Sequence, residues 1–157
     1  MDTWYSNGTQ LVFACGGGIF TSAAEAAQKV NGKVIGVDTD QSAVIDGGYG
    51  EGMTVTSAMK GLAPTIDTLT DVIVNGNWAN YAGKIETLGL VSADDPSANY
   101  VQLPLETTQW ADGKFTVEDY TALVADMFNG KVKVSNDTTV EPTVSNIAVN
   151  YLGNIKG

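Results

Sequence analysis

Residues 11–15, Leu-Val-Phe-Ala-Cys, form an unbroken apolar run inside residues 9–15. Such a run predicts a short strand, apolar on both faces and buried. Gly16-Gly17-Gly18 then turns the chain. Phe20, Ala23, Ala27 and Val30 fall on one stripe and predict a helix over 20–30. Asn31-Gly32 stops it, with Gly32 suited to the left-handed residue that closes many helices. Residues 33–38, Lys-Val-Ile-Gly-Val-Asp, make the next strand. Strand, glycine turn, helix and strand form a βαβ unit, which builds parallel sheets with right-handed crossovers.

Residues 42–52 are rich in Gly, Asp and Ser and read as loop, and 53–57 as a strand. Leu62, Ile66, Leu69 and Ile73 are spaced by four, three and four, which predicts a buried face on a helix over 62–75. Gly76 closes that helix, and a loop over 77–84 carries Trp78 and Tyr81. Residues 84–90 and 100–103 read as strands, separated by a turn on Asp94-Asp95-Pro96. Thr116 followed by Glu118 and Asp119 reads as an N-cap. Tyr120, Leu123, Val124, Met127 and Phe128 continue as an amphipathic helix to Asn129-Gly130. Residues 131–134 read as extended, and 144–149 as strand-like. The pattern predicts an α/β fold: a parallel-rich sheet with flanking helices on both faces.

At 157 residues the chain suffices for one domain with its own core. Eight basic residues face eighteen acidic ones, a net charge of −10, and every basic residue is a lysine standing apart from the others. Without a basic patch to neutralise phosphates, nucleic acid is not expected as a partner, nor is an acidic membrane surface. The acidity fits a secreted or surface protein, and equally fits plain solubility. With no histidine, the usual general base and the commonest metal ligand are missing. The single cysteine, Cys15, permits no internal disulfide and no cysteine-based zinc site. No cofactor or metal is expected. The segment 11–16 superficially resembles a lipoprotein cleavage box, but its apolar stretch is too short and no Lys or Arg precedes it. A strand entering a glycine turn accounts for the same residues. No apolar run approaches membrane-spanning length, so direct insertion is not expected. Met1 is followed at once by sequence of mature character, so the natural leader is expected to lie outside this chain.

Three constellations carry candidate chemistry. Gly16 and Gly17, between strand and helix, let a ligand approach the backbone, where free N–H groups meet polar atoms; a plain tight turn is the other reading. The sequence there, Gly-Gly-Gly-Ile-Phe-Thr, lacks the third glycine of a dinucleotide fingerprint, and the chain has no phosphate-binding loop. Asp38 ends the second strand, where open parallel sheets bind ligands, and a carboxylate there accepts bonds from vicinal hydroxyls. Asp40 fits a cap on the next segment. Lys60, in Ser57-Ala58-Met59-Lys60, stands at a strand-to-helix junction, able to donate to ligand oxygens or simply solvated. No serine, threonine or tyrosine sits in an activating context, so no enzyme activity is expected.

These segments, in this order, resemble the basic membrane protein family of ABC-transporter substrate-binding lipoproteins, whose best-understood members bind purine nucleosides. The resemblance spans about 9–134. Ala14-Cys15-Gly16-Gly17 and Glu25-Ala26-Ala27 match the glycine turn and its helix. Ile35-Gly36-Val37-Asp38-Thr39-Asp40-Gln41 is a full match to the family's acidic block. Thr56-Ser57-Ala58-Met59-Lys60, Leu88-Gly89-Leu90 and 129–134 agree as well. Three departures stand beside them. The turn lacks the family's Gly-Thr-Gly spacing, no glycine-rich stretch follows Leu90, and the chain is about half the family length.

The resemblance implies that residues 1–157 are the C-terminal lobe of a two-lobed, type I periplasmic-binding-protein fold, with the N-terminal lobe and signal peptide elsewhere. It implies that Asp38 holds ribose hydroxyls, Lys60 assists, and Gly16 and Gly17 lie along a nucleoside whose base stacks on aromatics of the other lobe. The expected partners are that small ligand and a membrane permease. The expected location is extracytoplasmic, as a cell-surface lipoprotein or in the periplasm. If the helix at 62–75 normally packs on the other lobe, its stripe is exposed here and invites self-association. Rival readings are a sugar or signalling ligand on the same scaffold, a nucleotide-dependent enzyme, and a structural surface domain without ligand.

Overall fold

The structure is a computed structural model that describes residues 1–153. Its sheet has four strands in the order β1 (Leu11–Phe13), β2 (Lys33–Asp38), β3 (Thr54–Lys60) and β4 (Val101–Gln102). β1, β2 and β3 run parallel, and β4 pairs antiparallel with the end of β3. The fold is therefore α/β, with an open, mostly parallel sheet and flanking helices. Among the described residues no helix is long and apolar enough to cross a membrane.

Two crossovers in sequential order put their helices on one face. α2 (Phe20–Gln28) packs on β2, α3 (Ser42–Tyr49) packs on β3, and the two helices touch. Alanines 23, 24, 26 and 27 of α2 are all buried, and such small side chains bring the helix close to Val12 and Val34. The short α1 (Asp2–Ser6) closes this core with Tyr5, whose hydroxyl donates to the Lys33 carbonyl at 2.6 Å.

The first strand departs from its expected form. β1 is shorter than 9–15, only Val12 of it is buried, and Cys15 is exposed. Leu11 and Phe13 alternate to the face opposite α2 and stay close to half exposed. α3 also departs from expectation, because residues 42–52 read as loop. Gly47 and Gly48 weaken the helix locally, but burial of Ile45 and two carboxylates override that. Asp40 accepts from the Ser42 amide at 3.0 Å, and Asp46 accepts from the amides of Gly52 and Thr54 and from the Thr54 hydroxyl.

α4 (Leu62–Val74) forms as expected and ends at Gly76, φ +72°. Its stripe is not a buried face: Ile66 is 65% and Ile73 60% exposed, and Val72 is the helix's buried residue. Residues 84–90 form no strand. The outer edge of β3 is already taken, by β4 at Met59 and Lys60 and by Gln109, whose amide donates to the Val55 carbonyl at 2.8 Å. α5 (Val117–Phe128) opens on a capping box in which Thr116 and Asp119 exchange bonds. Residues 131–134 and 144–149 carry no regular structure.

Asn99 organises the loop that replaces the expected strand. It is fully buried, its carbonyl oxygen accepts from the Val91 and Ser92 amides, and its amide nitrogen donates to the Ser92 carbonyl. Asn99→Ala would strand two backbone donors, at a cost of about 2 kcal/mol. Thermal unfolding is expected to fall by about 6 °C; a melt equal to the parent's would show that the bracket contributes nothing.

Candidate functional site

The carboxyl ends of the three parallel strands meet at one point. β1 delivers the turn at Gly16–Gly18, β2 ends in Asp38, and β3 ends in Lys60. The Asp38 carboxylate and Lys60 ammonium form an ion pair at 2.5 Å, with side chains 32% and 64% exposed. Asp38 holds φ +73°, a left-handed conformation in which a non-glycine residue is strained. A methyl group placed on Gly17 would lie 4.0 Å from Asp38 Oδ2, so the glycine turn borders the carboxylate. Gly17 is itself left-handed, at φ +41°. The first amides of its 3-10 turn have no acceptor within that turn.

Gly16 plays a different part from Gly17. Its backbone is extended, its carbonyl accepts from the Ile19 amide at 2.9 Å, and an added Cβ would press on the Ile19 side chain at 3.0 Å. It makes room for Ile19. Asp38, Lys60 and Gly17 therefore come together, and Gly16 shapes the turn behind them.

Gln41 ties the three strand ends and was not singled out from the sequence. Its side-chain oxygen accepts from the Val37 amide at 2.9 Å, and its side-chain nitrogen donates to the Gly17 carbonyl at 3.2 Å. Its own amide donates to Ser57 Oγ at 3.1 Å, and Ser57 is fully buried. Its place at the end of the Val-Asp-x-Asp-Gln block was the available signal. Asp40 stands apart from Asp38: it accepts from the Ser42 amide at the start of α3 and from the Thr107 hydroxyl at 2.7 Å, latching the 104–110 segment.

The Lys60 ammonium and the Asp40 carboxylate both keep their charge at neutral pH. The hydrogen bond from Lys60 to Asp38, and then their Coulombic attraction, hold the ammonium above the usual lysine range. Burial pushes the Asp40 carboxyl up, but its bonds from Ser42 and Thr107 outweigh this and hold it below the ordinary value. The arrangement offers an acceptor, a donor and bare backbone side by side. That set can grip a ligand through vicinal hydroxyls, the carboxylate accepting and the ammonium donating. Comparison with known protein families finds no family model that matches the chain, and no curated protein matches it.

Proposed function

We propose that this chain is the C-terminal lobe of an extracytoplasmic substrate-binding protein of an ABC importer, built on the type I periplasmic-binding-protein fold and taking a nucleoside as ligand. The observation that carries the reading is the Asp38–Lys60 contact at 2.5 Å beside Gly17. The family resemblance assigns these residues to one ligand although they lie far apart in the sequence. Ribose hydroxyls enter between the paired charges: Asp38 accepts from them and Lys60 donates to their oxygens. A second lobe closes over the ligand by hinge motion, and the closed form hands it to a membrane permease. No bond is broken, so the protein needs no activated nucleophile and acts as a carrier at the cell surface, held there by a lipid anchor outside this chain or free in a periplasm.

Thermal-shift measurement with a panel of nucleosides and free sugars tests this, on the chain and on the two-lobed protein. A nucleoside at about a hundred times its Kd stabilises the native state by about 2.7 kcal/mol, and the melting temperature rises accordingly. A rise with sugars and none with nucleosides would transfer the site to a sugar or signalling ligand. No rise with either would leave a structural domain without a ligand.

A further inference from the structure

Beside Lys60 the surface is hollow. One cavity of about 260 Å³ has Lys60, Gly61 and Leu62 at one end. Thr65, Glu86, Leu88 and Tyr100 line its other side. Those same four residues line a second cavity, also about 260 Å³, which ends at Trp78 and Tyr81. The two hollows are one groove, running from the end of β3 along α4. Three aromatic side chains, Trp78, Tyr81 and Tyr100, border its far part. Trp78 is 49% exposed although it is a large apolar ring. Leu69 and Leu88 add apolar wall, while Lys84 and Glu86 bring one donor and one acceptor to the lining.

The cradle is held in place by its backbone. Trp78 opens a 3-10 turn whose carbonyl accepts from the amides of Tyr81 and Ala82. The Asn77 amide donates to the Val72 carbonyl at 2.8 Å, tying the turn to α4. Tyr100 is fixed from both sides: its carbonyl accepts from the Gly61 amide at 2.8 Å and its amide donates to the Gly89 carbonyl at 3.0 Å. Gly61 is needed for this approach, since an added Cβ would sit 2.8 Å from the Tyr100 Cα.

We infer that this groove is a subsite for a planar heteroaromatic base, contiguous with the Asp38–Lys60 pair. The inference rests on the nucleoside reading above and gives the base a stacking surface within this lobe, in addition to the aromatics that the family resemblance implies on the other lobe. A cavity of about 260 Å³ lies just under the usual range for drug-sized ligands, about 300–1,000 Å³, and suits a ligand fragment of one or two rings. Aromatic side chains hold a base by stacking on its face. A base edge carries both donors and acceptors, which Glu86 and Lys84 complement. A free sugar matches this lining less well, because the far part of the groove is mostly ring and aliphatic wall.

The test uses the complete chain with adenine, adenosine and ribose as probes, read by calorimetric titration and by tryptophan fluorescence. Adenine alone is expected to bind and quench fluorescence, and adenosine to bind at least about tenfold more tightly through its added hydroxyl contacts. Trp78→Ala is expected to weaken both by about tenfold, and Trp78→Phe, which keeps a ring, to recover most of that loss. Circular dichroism melts of both variants confirm that the fold is intact. Adenosine binding that is unchanged in a folded Trp78→Ala variant overturns the groove while leaving the nucleoside reading in place. Ribose that binds and quenches as strongly as adenine overturns the base assignment. Failure of all three probes overturns the groove and removes support for binding by this lobe.

Discussion

Gly36→Ala is expected to lower the melting temperature by about 10 °C and to abolish ligand binding. Gly36 pairs with Ser57 across β2 and β3. A Cβ at this position would lie 2.6 Å from Ser57 Oγ and 2.9 Å from Gln41 Cβ. Ser57 is fully buried and cannot swing away into solvent. Overpacking of this kind costs about 1–3 kcal/mol. Displacing Gln41 also weakens its bonds to Val37, Ser57 and Gly17, each worth about 1 kcal/mol. A total near 3 kcal/mol corresponds to about 10 °C in a domain of this size. Adding Ser57→Ala removes the nearer obstacle and should restore part of the loss. A Gly36→Ala protein that melts with the parent would show that the clamp around Gln41 is slack.

Asp38→Asn is expected to leave the melting temperature within about 2 °C of the parent while weakening nucleoside binding about a hundredfold. The two effects separate because of the backbone. Asp38 sits at φ +73°, and asparagine tolerates that region as well as aspartate does. Its ion pair with Lys60 is largely exposed, and exposed pairs contribute little to stability. On the proposed reading, binding depends on the charge instead. Hydrogen bonds to a charged acceptor are worth about 1.5–3 kcal/mol each, and an amide keeps one weaker acceptor. Asp38→Gly extends the argument, because it relieves the backbone strain as well as removing the carboxylate. It should melt at or above the parent temperature and bind no better than Asp38→Asn. Isothermal titration beside thermal unfolding reads both quantities. Nucleoside affinity that survives Asp38→Asn would detach the ligand from this carboxylate.

Helix termini were legible from local residues, with one exchange of roles. Gly76 and Gly130 close their helices in left-handed conformations, at φ +72° and +75°. After α2, however, Asn31 takes the left-handed position at φ +57°. Gly32 instead gives room to the Tyr5 ring, which would lie 2.5 Å from an added Cβ. The capping box at Thr116 formed as its spacing implied. The placement of the candidate residues at strand ends was legible to a similar depth. The sequence singled out Asp38 and Lys60 as separate strand-end candidates, and the fold brings them into an ion pair; that they hold a ligand is a proposal. Nothing in the sequence warned that Gly16 makes room for Ile19, that Gln41 is the common tie, or that Trp78 and Tyr81 gather beside Tyr100.

The sequence by itself determined what depends on near neighbours along the chain. These are the strand–glycine–helix–strand order, the positions of α2, α4 and α5, and the glycines that close α4 and α5. Only the tertiary structure decided what depends on competition among distant segments. Residues 84–90 have strand-like composition but no edge to join, because β4 and Gln109 already occupy the open side of β3. Residues 42–49 have poor helix formers but fold as α3, because Ile45 is buried and Asp40 and Asp46 find backbone donors. The spacing in α4 specifies a stripe but cannot say whether anything covers it. Helix propensity and capping are set within a few residues, whereas burial and edge pairing are set by whichever segment reaches a surface most favourably.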